Sequence, residues 1–96
     1  MADYSYFKDL APRQQLNDLM HKYAQLNGAP YGDSWRELER RYHARHRLKL
    51  SILRWQHCQR NRAKLTMPAF IEDSGLMPEA LEIGHEMTGH ILERAA

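Results

Sequence analysis

The residues best suited to chemistry lie in three places: the GHEMTGH run near the C-terminus, the His57-Cys58 pair, and a central segment dense in Arg, Lys and His. In the zinc motif H-E-x-x-H two imidazoles four residues apart share one helix face. His85-Glu86 and His90 are spaced five apart, about 140° round a helix, and no third ligand has a recognisable spacing. The expectation is no metal and no cofactor. Cys58 follows His57 directly, but a thiol nucleophile also needs an oriented base and an oxyanion site, and the sequence supplies neither, so no enzymatic activity is expected.

The central segment offers binding chemistry instead. Residues 36–64 carry ten Lys and Arg against Glu37 and Glu39, a balance of +8, whereas residues 1–35 sum to −1 and residues 65–96 to −5. This segregation matters more than the net +2 of the whole chain. On a helix, Arg36, Arg40, His43, Arg47 and Arg54 recur at steps of 4, 3, 4 and 7 and form an outward stripe. Arg41, Arg45 and Lys49 turn towards the apolar side, where they must snorkel, pair with acids or reach a partner. His43, His46 and His57 add to the charge when protonated. Three readings of the stripe stay open: phosphate neutralisation on DNA, a solvated or internally paired face, and a protein interface. No helix-turn-helix, zinc-finger or RNA-binding signature accompanies it.

LTMPAFIED, Leu65 to Asp73, is a second binding candidate. Met67-Pro68-Ala69 is an X-Pro site of the kind a prolyl isomerase reads, and Phe70 and Ile71 beside it either dock a partner or cover the edge of the core.

The elements that must position these residues are helical. A first helix is expected from about Pro12 to Leu26, since Pro suits a first turn and Leu16, Leu19, Met20, Tyr23 and Leu26 recur at helical steps. Asn27-Gly28 stops it, and a Gly/Pro turn follows. Ser34 and Glu37 have capping-box spacing, so a long basic helix is expected from there to about Lys64, roughly 45 Å in length, with Leu38, Tyr42, Leu48, Ile52 and Trp55 as its core face. Leu65–Met77 reads as a proline-containing linker. A third helix is expected from about Pro78 to Arg94, with Ala80, Ile83, Met87 and Ile91 on one side. No stretch alternates as a strand would, so the fold class is all-α.

Ninety-six residues make one small domain, 1–96, with residues 1–11 as an N-terminal arm. A single cysteine cannot form an internal disulfide, which fits a reducing cytoplasm. No signal peptide or membrane span is legible, so neither export nor insertion is expected.

From MADYSYFKDL through DSWRELERRYHARHRLKL and KLTMPAFIED to HILERAA, the whole chain resembles the anti-RecBCD proteins of lambdoid phages, in particular the RecC-binding kind encoded beside phage recombination genes. The resemblance is one of length and overall sequence and rests on no single motif. It implies a protein of the bacterial host cytoplasm that binds the RecC subunit of the RecBCD helicase–nuclease, alters DNA-end processing, spares phage DNA and favours phage recombination, with DNA present only indirectly in the complex. It also implies contact with a host cyclophilin-type prolyl isomerase, for which Met67, Pro68 and Ala69 are the matching positions. Candidate contacts to the main partner are Arg36, Arg40, Arg41, Arg45, Arg47, Lys49, Arg54, Phe70 and Ile71. The alternative function is a small basic DNA-binding regulator.

Overall fold

The computed structural model describes residues 10–89. Among them the chain is all-α: five helices and no strand. They are α1 (Pro12–Asn27), α2 (Tyr31–His46), α3 (Leu50–Asn61), α4 (Met67–Asp73) and α5 (Met77–Thr88). None is long and apolar enough to cross a membrane.

Helix α1 follows its sequence signals closely. Pro12 sits in the first turn, and Leu16, Leu19, Met20 and Ala24 form the buried stripe. Gly28 ends the helix at φ 58°, a left-handed conformation that costs glycine nothing. Its N–H and that of Ala29 donate to the carbonyls of Gln25 and Ala24, which satisfies two of the terminal acceptors.

Helices α1, α2 and α5 pack on one another around the core, with α4 against α1 and α3 against α2 and α4. Leu16, Leu19, Met20, Leu38, Ile71 and Ile83 are its almost fully buried aliphatic centre. The closest approach of α1 and α5 is made at Gly84, where an added Cβ would stand 2.9 Å from Leu19 Cδ1. That glycine weakens α5 as an isolated helix but lets the two backbones come together.

The second helix begins earlier than its capping-box spacing predicts. Pro30, extended at φ −61° and ψ 149°, is the N-cap residue, so Ser34 already lies inside α2. Ser34 is wholly buried, and its hydroxyl donates to the Met20 carbonyl at 2.6 Å, joining α2 to α1. Glu37 is turned to two arginines rather than to a helix-end amide. The fixed φ of proline explains the earlier start, because it pre-sets the entry geometry four residues upstream of the expected cap.

A larger correction concerns the length of the basic helix. It is two helices, broken at Arg47-Leu48-Lys49, with Arg47 in the left-handed conformation at φ 59° and its N–H on the His43 carbonyl at 2.7 Å. The break brings Leu50 into the core at 2% exposure. On an uninterrupted helix Leu50 would sit about 160° from the centre of the expected apolar face. Burying one leucine is worth about 2 kcal/mol, enough to offset the about 1–2 kcal/mol cost of a left-handed arginine.

The expected linker also contains structure. Residues Met67–Asp73 form α4, with Pro68 in its first turn and Phe70 and Ile71 buried at 2% and 0% exposure. The Met67-Pro68 bond is trans, as no cis peptide bond occurs among the described residues. At the other end, α5 starts with Pro78 in its first turn and is terminated after Thr88 by Gly89 at φ 65°. The part of the expected third helix beyond that glycine, including Ile91 and Arg94, lies outside the described residues.

A candidate docking face on the broken basic helix

The break re-aims every basic side chain that follows it. Arg36 and Arg40 point outwards on α2 as the stripe required, with side chains 83% and 67% exposed. Arg54 does not join them. It turns inward on α3, donating to the Leu65 carbonyl at 3.0 Å, with its Nε buried and without a hydrogen-bond partner. The outward stripe therefore ends at the break, in Arg47 and Lys49, both exposed and neither ion-paired with a described residue.

Two arginines that lean towards the apolar side find acids. Glu37 accepts from Arg40 at 2.9 and 2.6 Å and from Arg41 at 2.7 Å. These hydrogen bonds, that of Arg40 first, outweigh the opposing effect of burial and lower the Glu37 pKa from 4.5 to about 2. Arg45 reaches across to α5, where Glu82 accepts at 2.7 Å, Glu86 also accepts, and Glu79 lies at 3.5 Å. The hydrogen bond to Glu82 is the main influence raising the Arg45 pKa. His46 shares the Glu79 carboxylate.

The acidic C-terminal third is thus largely occupied within the fold. Three of its carboxylates meet Arg45 and His46, Glu72 pairs with Arg13 at 2.6 Å, and Asp73 accepts from the His57 Nε2 at 2.7 Å. His57 also packs edge-on against Phe70, with ring centroids 5.4 Å apart, and so helps seat α4 on α3. Neither His57 nor Cys58 belongs to a larger polar cluster, and among the described residues no group of three or more His, Cys, Asp or Glu is placed to hold a metal. His90, one half of the GHEMTGH pair, lies outside the described residues.

Where α2 ends and α3 begins, an open groove of about 300 Å³ is lined by Arg36, Glu39, Arg40, His43, Lys49 and Ser51. Next to it lies a feature opposite to expectation. Leu48, Ile52 and Trp55, assigned to the core by their spacing, are 50%, 50% and 62% exposed. Helix α3 buries its other side, through Leu50, Leu53 and His57. Ile52 and Trp55 lie on the face of α3 opposite Leu50, Leu53 and His57, with Leu48 in the break just before the helix and Ser51 and Trp55 as i, i+4 neighbours linking the groove to the apolar stripe.

Sequence reasoning thus placed Arg36, Arg40, His43 and Arg47 on an accessible surface, and the fold brings Arg36, Arg40 and His43 together in the groove with Lys49. Lys49 was expected to turn towards the apolar side but is exposed, because the break rotates it outwards. Arg41 and Arg45 are tied to acids. Phe70 and Ile71 are core residues, so no partner reaches their side chains without displacing α4. Met67, Pro68 and Ala69 are half-buried in the first turn of that helix. The apolar stripe was missed as a surface, because nothing in Arg47-Leu48-Lys49 is a helix breaker. The misfit of Leu50 to the common face was its one sequence signal.

Comparison of the chain with models of known protein families, with curated proteins and with solved structures finds no match.

Proposed function

We propose that this protein is a non-catalytic modulator of the host RecBCD helicase–nuclease, encoded by a phage, which binds RecC and alters DNA-end processing in favour of phage DNA and phage recombination. The reading begins from the whole-chain resemblance. The observation that carries it at the level of chemistry is the surface at the α2–α3 break, where exposed Leu48, Ile52 and Trp55 adjoin a cationic groove. A nucleic-acid surface needs phosphate-facing cations and gains little from aliphatic side chains, whereas a protein interface combines an apolar centre with a charged rim. The binding role therefore falls to the protein partner, with DNA held indirectly in the complex.

The working test is charge reversal in the groove. Arg36→Glu, Arg40→Glu and Lys49→Glu together should weaken binding to purified RecBCD by about tenfold or more and relieve its effect on nuclease activity, because opposite charges across an interface set both encounter rate and register. Unchanged affinity and unchanged salt dependence would remove the groove from the interface.

A cyclophilin-type isomerase is proposed as a second host partner, through Met67-Pro68-Ala69. These residues open α4 and are only half-buried, so fraying of one short helical turn exposes them. Pro68→Ala keeps the turn helical while removing the recognised ring. Recovery of the isomerase on this bait should fall to background, and undiminished recovery would exclude Pro68 as the anchor.

A further inference from the structure

Helix α3 presents an apolar face that nothing in the described fold covers, and the charge around it restricts what can cover it. From Arg40 to Ile71 the sequence contains no Asp or Glu, while it contains nine Lys and Arg. Leu48, Ile52 and Trp55 therefore lie in a carboxylate-free stretch beside exposed Arg47 and Lys49, while in the adjoining groove, which Glu39 also lines, Arg36 pairs with Asp33 at 3.0 Å and Arg40 with Glu37 at 2.6 Å. Among the described residues, the acids of the C-terminal third are taken up elsewhere, on Arg45, His46, Arg13 and His57.

We propose that the outer face of α3 and the adjoining groove form a docking site for an acidic amphipathic segment of a partner protein, its apolar side chains on Leu48, Ile52 and Trp55 and its carboxylates on Lys49 and Arg47 at the break. The inference rests on the protein-directed reading above, but it concerns the chemistry of the segment recognised and not the identity of the protein that carries it. Trp55 supplies the kind of large, rigid anchor around which interfaces concentrate their affinity. The neighbouring cations discriminate, since a segment rimmed by Lys or Arg would meet like charge.

Other occupants fit less well. Two copies joined through this face would bring two carboxylate-free helices together, setting Arg47 and Lys49 of each against cations of the other. Duplex DNA would neutralise the groove but leave the apolar stripe against phosphates. An anionic bilayer could take the stripe, and the vesicle arm of the test below separates it from a peptide.

The test uses the full chain and a fluorescent synthetic helical peptide with Leu at i, i+3, i+4 and i+7 and Glu at its other positions, beside the same peptide with Lys for Glu. Fluorescence anisotropy should show saturable binding of the Glu peptide that weakens with salt, and no comparable binding of the Lys peptide. Ile52→Ser and Trp55→Ser should each weaken it by about tenfold or more. Both positions are exposed, so far-UV circular dichroism and the melting temperature should stay as in the parent. No binding of the Glu peptide, equal binding of the Lys peptide, or full affinity in the Trp55→Ser protein would overturn the proposal. So would an Ile52-dependent dimer in sedimentation, or Trp55-dependent binding to duplex DNA or to phosphatidylglycerol vesicles in place of the peptide. Purified RecBCD separates this inference from the broader reading. Peptide binding without RecBCD binding would sink that reading and leave the surface intact, and RecBCD binding unaffected by Trp55→Ser would do the reverse.

Discussion

Glu37 shows how one residue sets the charge seen from outside. It is the nearest acid to two arginines of the basic helix, and it holds the Arg40 guanidinium along both of its oxygens. Its folded-state pKa, about 2, lies below its ordinary value of 4.5. The native state therefore releases this proton more readily than the unfolded chain, so the stabilisation is fully present above about pH 4.5 and is lost as pH falls through about 2. Glu37→Gln should flatten the fall in melting temperature across that window and leave the neutral-pH fold intact. The same slope in the variant would show that Glu37 contributes nothing to acid sensitivity. Arg40 and Arg41 are partly exposed, so the stabilisation is modest despite the short distances.

At the scale of elements, the decisive event is the break between α2 and α3. Position 47 adopts φ 59° with an arginine, where glycine is favoured by about 1 kcal/mol. Arg47→Gly should accordingly raise stability by about 0.5–1 kcal/mol in urea unfolding, since the side chain is exposed and makes no ion pair with a described residue. A loss of stability would mean that the break is held by contacts of the Arg47 side chain and not by the backbone and Leu50. This element also marks the boundary of what the sequence discloses. Helix α1 was legible because local signals and packing agree: proline opens it, apolar residues recur on one face, and glycine closes it. The long basic helix was misread because its only breaker is the tertiary demand of Leu50, which no local propensity records. The same blindness hid α4, where two prolines and Asp73-Ser74-Gly75 looked like an irregular linker although Phe70 and Ile71 were ready to enter the core. For the site, charge periodicity found Arg36, Arg40, His43 and Arg47, but the direction of Arg54 and the exposure of Lys49, Ile52 and Trp55 depended on a rotation that periodicity assumes away.

For the whole molecule, the segregation of charge along the chain becomes a division of labour in space. The acids of the C-terminal third close over the inner end of the basic segment, through Arg45 and His46, and tie α5 to α2. What remains outward is cationic and, on α3, apolar. Under the proposed function, this surface grips a DNA-processing protein and not DNA itself. The most direct measurement is the affinity of the purified protein for RecBCD and for free duplex DNA, determined side by side at low and moderate salt. The account predicts saturable binding to RecBCD that survives moderate salt and weak binding to duplex. Duplex binding as tight as that to RecBCD, falling steeply with salt, would contradict it.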